Sequence, residues 1–166
     1  MSVCSTDDEY CQNLIIALAD ILPNLIIQGD AEEPFYKAPT ATTNAILYFR
    51  SNYPRSLLHE ISHYCLAGDR RRNLDDFGYW YAPCGRTATE QQRFEEVETR
   101  PQGLEKAMCE IVGLEFLPSL DDFSGRPPSK IFLQNIERAY QEMKLNPPNT
   151  ANKVLGGLKV YWERNG

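Results

Sequence analysis

The sequence predicts an α+β protein, mainly helical with a small sheet, folded as one domain over residues 1–166. Long stretches carry apolar residues at the three- and four-residue spacing of a helix face, and two short runs are rich in β-branched and aromatic residues. With 166 residues, 42% of them hydrophobic and 24% charged, the chain has the length and the mix to bury a core.

The elements follow in order. A first helix is expected from about Asp8 to Leu22, with Leu14, Ile15, Leu18, Ile21 and Leu22 inward, acids at its positive end and Pro23 after its last turn. Leu25-Ile26-Ile27 and Ala45-Ile46-Leu47-Tyr48-Phe49 read as strands, with Gly29-Asp30 and the Pro34 to Pro39 stretch as loops. A second helix begins at Pro54, where proline suits a first helical position, and ends at Gly68. The run Phe77 to Tyr81 reads as a third strand or an extended loop. A third helix runs from about Thr89 toward Gly113, with a break or kink at Pro101, and a loop spans Leu117 to Pro128. Two further helices, about Ser129 to Leu145 and Thr150 to Arg164, complete the chain.

A formal net charge of -6 argues against a nucleic-acid-binding surface. Arg70, Arg71 and Arg72 are the one basic cluster and read as a solvated turn after a helix. No stretch approaches the roughly 20 apolar residues of a bilayer span, and the opening residues lack the basic start of a secretory signal. The cysteines Cys4, Cys11, Cys65, Cys84 and Cys109 are scattered and contain no Cys-x-x-Cys pair. A reduced cytoplasmic protein is expected, with Cys65 and Cys109 in the core and Cys84 in a loop.

The chemistry is carried by His59-Glu60-Ile61-Ser62-His63, which contains both histidines of the chain. On a helix, residues four apart share a face, so two imidazoles can grip one cation. Leu57, Leu58, Ile61, Tyr64 and Cys65 form a stripe on the opposite side, while small Ser56 and Ala67 leave room beside the histidines. Chance placement of two histidines and a glutamate in this pattern occurs in roughly one case in a thousand. A catalytic metal ion held by His59 and His63 follows.

Two histidines leave the coordination short, and the remaining candidates are carboxylates and Cys84. Phe94-Glu95-Glu96-Val97-Glu98 on the third helix supplies three acids, of which Glu95 and Glu98 share a face and Glu96 points to solvent. A glutamate on the following helix resembles the gluzincin class of zinc enzymes, and Glu98 is favoured over Glu95. Such a site supports two reactions. With zinc, Glu60 would take the proton of a bound water and the protein would hydrolyse peptides. With ferrous iron, a two-histidine, one-carboxylate triad would support hydroxylation. Spacing does not choose between them. A binding module using the metal structurally is a third class, and the shortage of protein ligands disfavours it.

The blocks His-Glu-Ile-Ser-His-Tyr-Cys-Leu-Ala-Gly (59–68), Asp-Phe-Gly-Tyr-Trp-Tyr (76–81), Gly85-Arg86, Phe94-Glu95-Glu96-Val97-Glu98 and Pro101-Gln102 resemble the bacterial elongation factor P hydroxylase family. The likeness is dense from about Leu57 to Leu104 and loose in the flanks. It implies a single catalytic domain, zincin-like around its motif helix, that uses molecular oxygen to hydroxylate the β-lysylated lysine of elongation factor P. The expected metal is Fe(II), with zinc or another divalent ion able to occupy a purified sample. Carried over residue by residue, His59, His63 and Glu98 become the metal ligands, and Glu60 a catalytic group orienting a water or substrate amine. Asp76, Tyr79, Trp80 and Arg86 match a further block and are expected, with Glu95, to bind substrate. The peptidase becomes the alternative. Elongation factor P bearing β-lysyl-lysine is the expected partner, met by a cytoplasmic monomer that binds neither nucleic acid nor membrane, with Arg70 to Arg72 as the docking patch to test.

Overall fold

A computed structural model describes residues 3–79, 85–120 and 125–165, with side chains from residue 8 onward. The described residues form five helices and a three-stranded sheet, with α1 and α2 packed on the sheet and the other helices on those and on one another: α1 (Val3–Ile21), β1 (Leu25–Ala31), β2 (Phe35–Lys37), β3 (Ala45–Arg50), α2 (Pro54–Arg72), α3 (Ala88–Val112), α4 (Lys130–Leu145) and α5 (Asn149–Asn165). The expected mainly helical α+β architecture is what forms.

The sheet has the order β1-β3-β2, with β1 parallel and β2 antiparallel to β3. Alternation along β3 turns Ala45, Leu47 and Phe49 into the core. Two loop expectations are corrected here. Gly29 and Asp30 belong to β1, whose pairing shifts register between Gln28 and Ala31. Phe35–Lys37 is a strand inside the stretch bounded by Pro34 and Pro39. Three residues at a sheet edge need few ladder bonds, so flanking prolines are tolerated, and Tyr36 anchors the strand by burying its ring.

The first helix begins at Val3, upstream of the acids expected to start it. Cys11, Leu14, Ala17, Leu18 and Leu22 bury toward the core while Ile15 and Ile21 pack at its margin. In α2, Gly68 takes φ 75° and ψ 168°, so the continuous helix ends where expected and one more turn follows. That turn folds Arg72 back. Its Nε donates to the Tyr64 carbonyl at 2.9 Å and its Nη2 to Cys65 O at 3.1 Å and Thr150 Oγ1 at 3.0 Å. The arginine thereby satisfies carbonyls that the helix end would leave without partners. The basic cluster is therefore not a uniformly solvated turn: Arg72 is half-buried, Arg71 lies over Tyr79 and Arg70 is exposed.

Beyond α2, the expected strand or extended loop at Phe77 is a 3-10 turn, Asp75–Gly78. Asp76 and Phe77 both adopt positive φ there, at 49° and 58°. Left-handed backbone at two non-glycine residues costs on the order of 1–3 kcal/mol each. Offsetting contacts are evident. Asp76 Oδ1 accepts from Tyr36 N and Asp75 Oδ1 from Ala38 N, both at 2.9 Å, and the Phe77 ring is buried against Tyr36.

Thr87 caps α3 with a reciprocal Thr87–Glu90 pair, and the helix passes unbroken through Pro101 to Gly113. Packing against α2 and α4 outweighs the roughly 3 kcal/mol that an interior proline costs. Gly103 shows how tight that packing is: a Cβ there would lie 2.6 Å from Ala139 Cβ and 2.8 Å from the Ala139 and Tyr140 backbone. One large core draws on α1, the sheet, α2, α3 and α5, and Phe94, Leu120, Phe132 and Ile136 form a smaller one between α3 and α4.

Candidate metal centre

The motif lies within α2 and faces α3. Leu57, Leu58, Ile61 and Cys65 are buried on one side, which turns His59 and His63 toward the inner stripe of α3. Ser56 does not simply leave space: its Oγ accepts from Arg50 N at 2.9 Å and ties off β3. On α3, Glu98, Gln102 and Glu105 lie at i, i+4 and i+7, and all three are at most 4% exposed. A buried polar stripe thus meets the two imidazoles.

Donor atoms of His59, His63 and Glu98 all lie within 4.8 Å of one another. His63 Nε2 is 2.9 Å from Glu98 Oε1, and His59 Nε2 is 3.5 Å from Glu98 Oε2. In a ligand shell with bonds of about 2.1 Å, neighbouring donors stand roughly 3.0–3.4 Å apart. The two histidine–Glu98 separations fall close to that edge, and with all three donors inside 4.8 Å the residues present fit a divalent ion. Glu95 sits one turn away, with Oε1 accepting from Ser129 Oγ at 3.4 Å, and is outside the cluster.

Burial disfavours charge on all these groups, but the ion pairs decide the outcome. Burial would lower His59, yet Glu98 and Glu105 hold it well above the ordinary imidazole value, and Glu98 does the same for His63. Burial would raise Glu98, yet His63 and His59 pull it down to about 2. The carboxylate thus favours positive charge on both imidazoles, a role that a bound cation would take over. Glu60 is half-buried and makes no hydrogen bond among the described residues; burial raises its carboxyl, with Glu98 and Asp76 adding to the effect against the two histidines.

The remaining expected site residues are placed unevenly. Tyr79 meets the His63 ring edge-on at 6.5 Å with the Arg71 guanidinium 4.3 Å over its own ring. Asp76 is exposed and occupied with the Tyr36 amide. Arg86 lies over Phe94 and donates to Leu120 O at 2.7 Å, which ties it to the smaller core. Trp80 and Cys84 lie outside the described residues.

Sequence reasoning missed two groups in contact with the histidines. Glu105 Oε1 is 2.6 Å from His59 Nδ1, and Phe77 stacks nearly parallel to His63 at 6.4 Å. The spacing from Glu98 through Gln102 to Glu105 was a readable signal of one polar face. Phe77 carried none, because its direction depends on two unusual backbone angles. Gln102 also clamps the centre from behind: its Nε2 donates to Glu98 Oε2 at 3.2 Å and to Ser119 O at 2.7 Å, and its Oε1 accepts from Ser119 N at 3.0 Å.

The profile of the elongation factor P hydroxylase family matches residues 19–165. Elongation factor P lysine hydroxylase of Haemophilus influenzae is 36% identical over 141 residues, covering 82% of this chain and 78% of that protein. On both grounds, this chain belongs to the elongation factor P hydroxylase family.

Proposed function

We propose that the protein hydroxylates the β-lysylated lysine of elongation factor P at a non-haem metal centre that His59, His63 and Glu98 would hold, with molecular oxygen as oxidant and an external two-electron reductant, so that one oxygen atom enters the carbon–hydrogen bond and the other leaves as water. As a member of its family it is a protein-lysine hydroxylase. The observation that carries the metal-dependent reading is the convergence of the three donors within 4.8 Å on two packed helices. Ferrous iron is the ion we assign, because a two-histidine, one-carboxylate set suits it and iron bound there would activate molecular oxygen toward a carbon–hydrogen bond. The zincin-like reading rests on this donor arrangement alone.

The chain's own groups then have distinct tasks. His59, His63 and Glu98 would hold the ion between α2 and α3, where burial strengthens every charge interaction. Glu60, half-buried beside them and free of other hydrogen bonds among the described residues, is placed to orient a water or a substrate amine. Tyr79, edge-on to His63 with Arg71 over its ring, is assigned to the wall of the substrate site on the His63 side. Asp76, Arg86, Glu95 and Trp80 complete the substrate assignment, with Asp76 and Arg86 also holding structure. Among the described residues no helix is long and apolar enough to cross a membrane. A monomer acting in the cytoplasm, without contact to nucleic acid, completes the proposal. The zinc-peptidase alternative draws no support from the family match.

The test is anaerobic loading of the purified chain with ferrous iron or zinc, then addition of β-lysylated elongation factor P, air and a two-electron reductant such as ascorbate. The modified peptide should gain the mass of one oxygen with iron only, and His59→Ala should abolish the gain. Unchanged mass, together with zinc-dependent peptide cleavage lost in Glu60→Gln, would reverse the assignment.

A further inference from the structure

We propose that Glu105 is a positioning residue of the metal centre, fixing the tautomer and rotation of His59 so that Nε2 presents its lone pair to the ion. The inference rests on the metal site assigned above and adds a group that touches neither ion nor substrate.

Glu105 is 4% exposed, and its one hydrogen-bond partner among the described residues is His59 Nδ1, at 2.6 Å. A buried carboxylate with so few partners is costly, and an apolar side chain would suit this stretch of core better. What the carboxylate provides is directional. Accepting from Nδ1–H leaves Nε2 as the unprotonated nitrogen, stops the ring turning about its Cβ–Cγ bond and makes Nε2 a better donor to a cation.

Both histidines meet Glu98 through Nε2, but their other contacts differ. Phe77 stacks on His63 and Tyr79 meets it edge-on, so that ring is oriented by packing. His59 is 21% exposed in its side chain and meets Glu105 through Nδ1 and Glu98 through Nε2. Glu98 and Glu105 are two helical turns apart on α3, about 10 Å along its axis. One rigid helix thus grips opposite edges of one ring, and Glu105 cannot ligate the same ion without giving up the nitrogen it holds.

The test uses the full chain, with cobalt(II) titration followed by visible absorption and nitrogen-15 NMR of the zinc-loaded histidines. Wild type should bind cobalt and show a His59 Nδ1–H protected from exchange. Glu105→Ala should weaken cobalt binding about 10- to 100-fold and remove that protected proton. Glu105→Gln, whose Oε1 still accepts from Nδ1–H, should recover most of the affinity while moving the Nδ1–H resonance upfield. A purely structural role would leave the tautomer signal unmoved, and that result, or unchanged cobalt affinity in Glu105→Ala, overturns the inference. Should Glu105→Ala not fold, an unmoved resonance in Glu105→Gln overturns it equally. A wild-type chain that binds neither metal would instead remove the metal site itself, and the inference with it.

Discussion

Replacing Glu98 by glutamine tests the electrostatics of the centre without any metal. The carboxyl falls from its ordinary 4.5 to about 2: burial would raise it, and His63, His59 and the amide of Gln102 together reverse that. A depression of that size corresponds to about 3 kcal/mol of folding stability. Because the folded value lies below the unfolded one, this stability is fully present above the ordinary carboxylate range and is lost as pH falls toward about 2. The histidines have the opposite sign. Raised above 6.5, they contribute stability below that value and lose it as pH rises through their folded values. The favourable contributions of acid and imidazoles therefore overlap between 4.5 and 6.5.

Glutamine has the shape of the protonated acid, so Glu98→Gln should destabilise the metal-free protein by about 3 kcal/mol near pH 5.5. For a chain of this size that is a melting shift of roughly 6–12 °C. The gap should shrink in alkaline buffer, where neutral imidazoles no longer reward the negative charge. Urea unfolding of both proteins after chelator treatment, at mildly acid and at alkaline pH, measures it. Equal stability near pH 5.5, or a gap that does not change with pH, would refute the argument that the imidazoles set the behaviour of Glu98.

Three further outcomes are expected. Gly103→Ala gains about 1 kcal/mol of helix propensity but places a Cβ against α4 backbone, where overpacking costs roughly 1–3 kcal/mol; net destabilisation in urea unfolding is expected, and a more stable variant would show that α3 and α4 separate freely. Cys65 and Cys109 are at most 3% exposed and burial pushes both thiols up to about 12, so iodoacetamide should leave them unlabelled in the native chain at neutral pH, as peptide mass spectrometry would report. Thr87→Ala should cost about 1 kcal/mol by deleting the cap that starts α3, and an unchanged urea midpoint would show that α3 is held without it.

What the sequence made legible depended on how local the cause was. His59 and His63 could be paired because helical spacing alone brings positions four apart together, whereas spacing on the next helix only favoured Glu98 over Glu95, which shares its face. Gly68 was readable as a helix end because few other residues adopt its φ of 75°. By contrast, β2 was hidden because its stability comes from β3 and from the two aspartates of the turn after α2, about 40 residues away in sequence. Pro101 misled for the same reason. A local rule favoured a break, and contacts with distant helices decided the matter.

Glu105 marks the boundary most clearly. Its spacing from Glu98 was visible, but a polar residue two turns along a helix usually faces water, and only the position of α2 turns that face inward. Once it does, the burial that makes the carboxylate expensive also makes its hydrogen bond strong and directional. Glu98 and Glu105 therefore belong to one arrangement: α3 meets the Nε2 edge of the His59 ring with Glu98 and the Nδ1 edge with Glu105. Gly103 lies between them, with α4 packed directly against its backbone. A change that moved α3 away from α4 would thus shift both carboxylates against His59 at once, which links helix packing to the geometry of the centre.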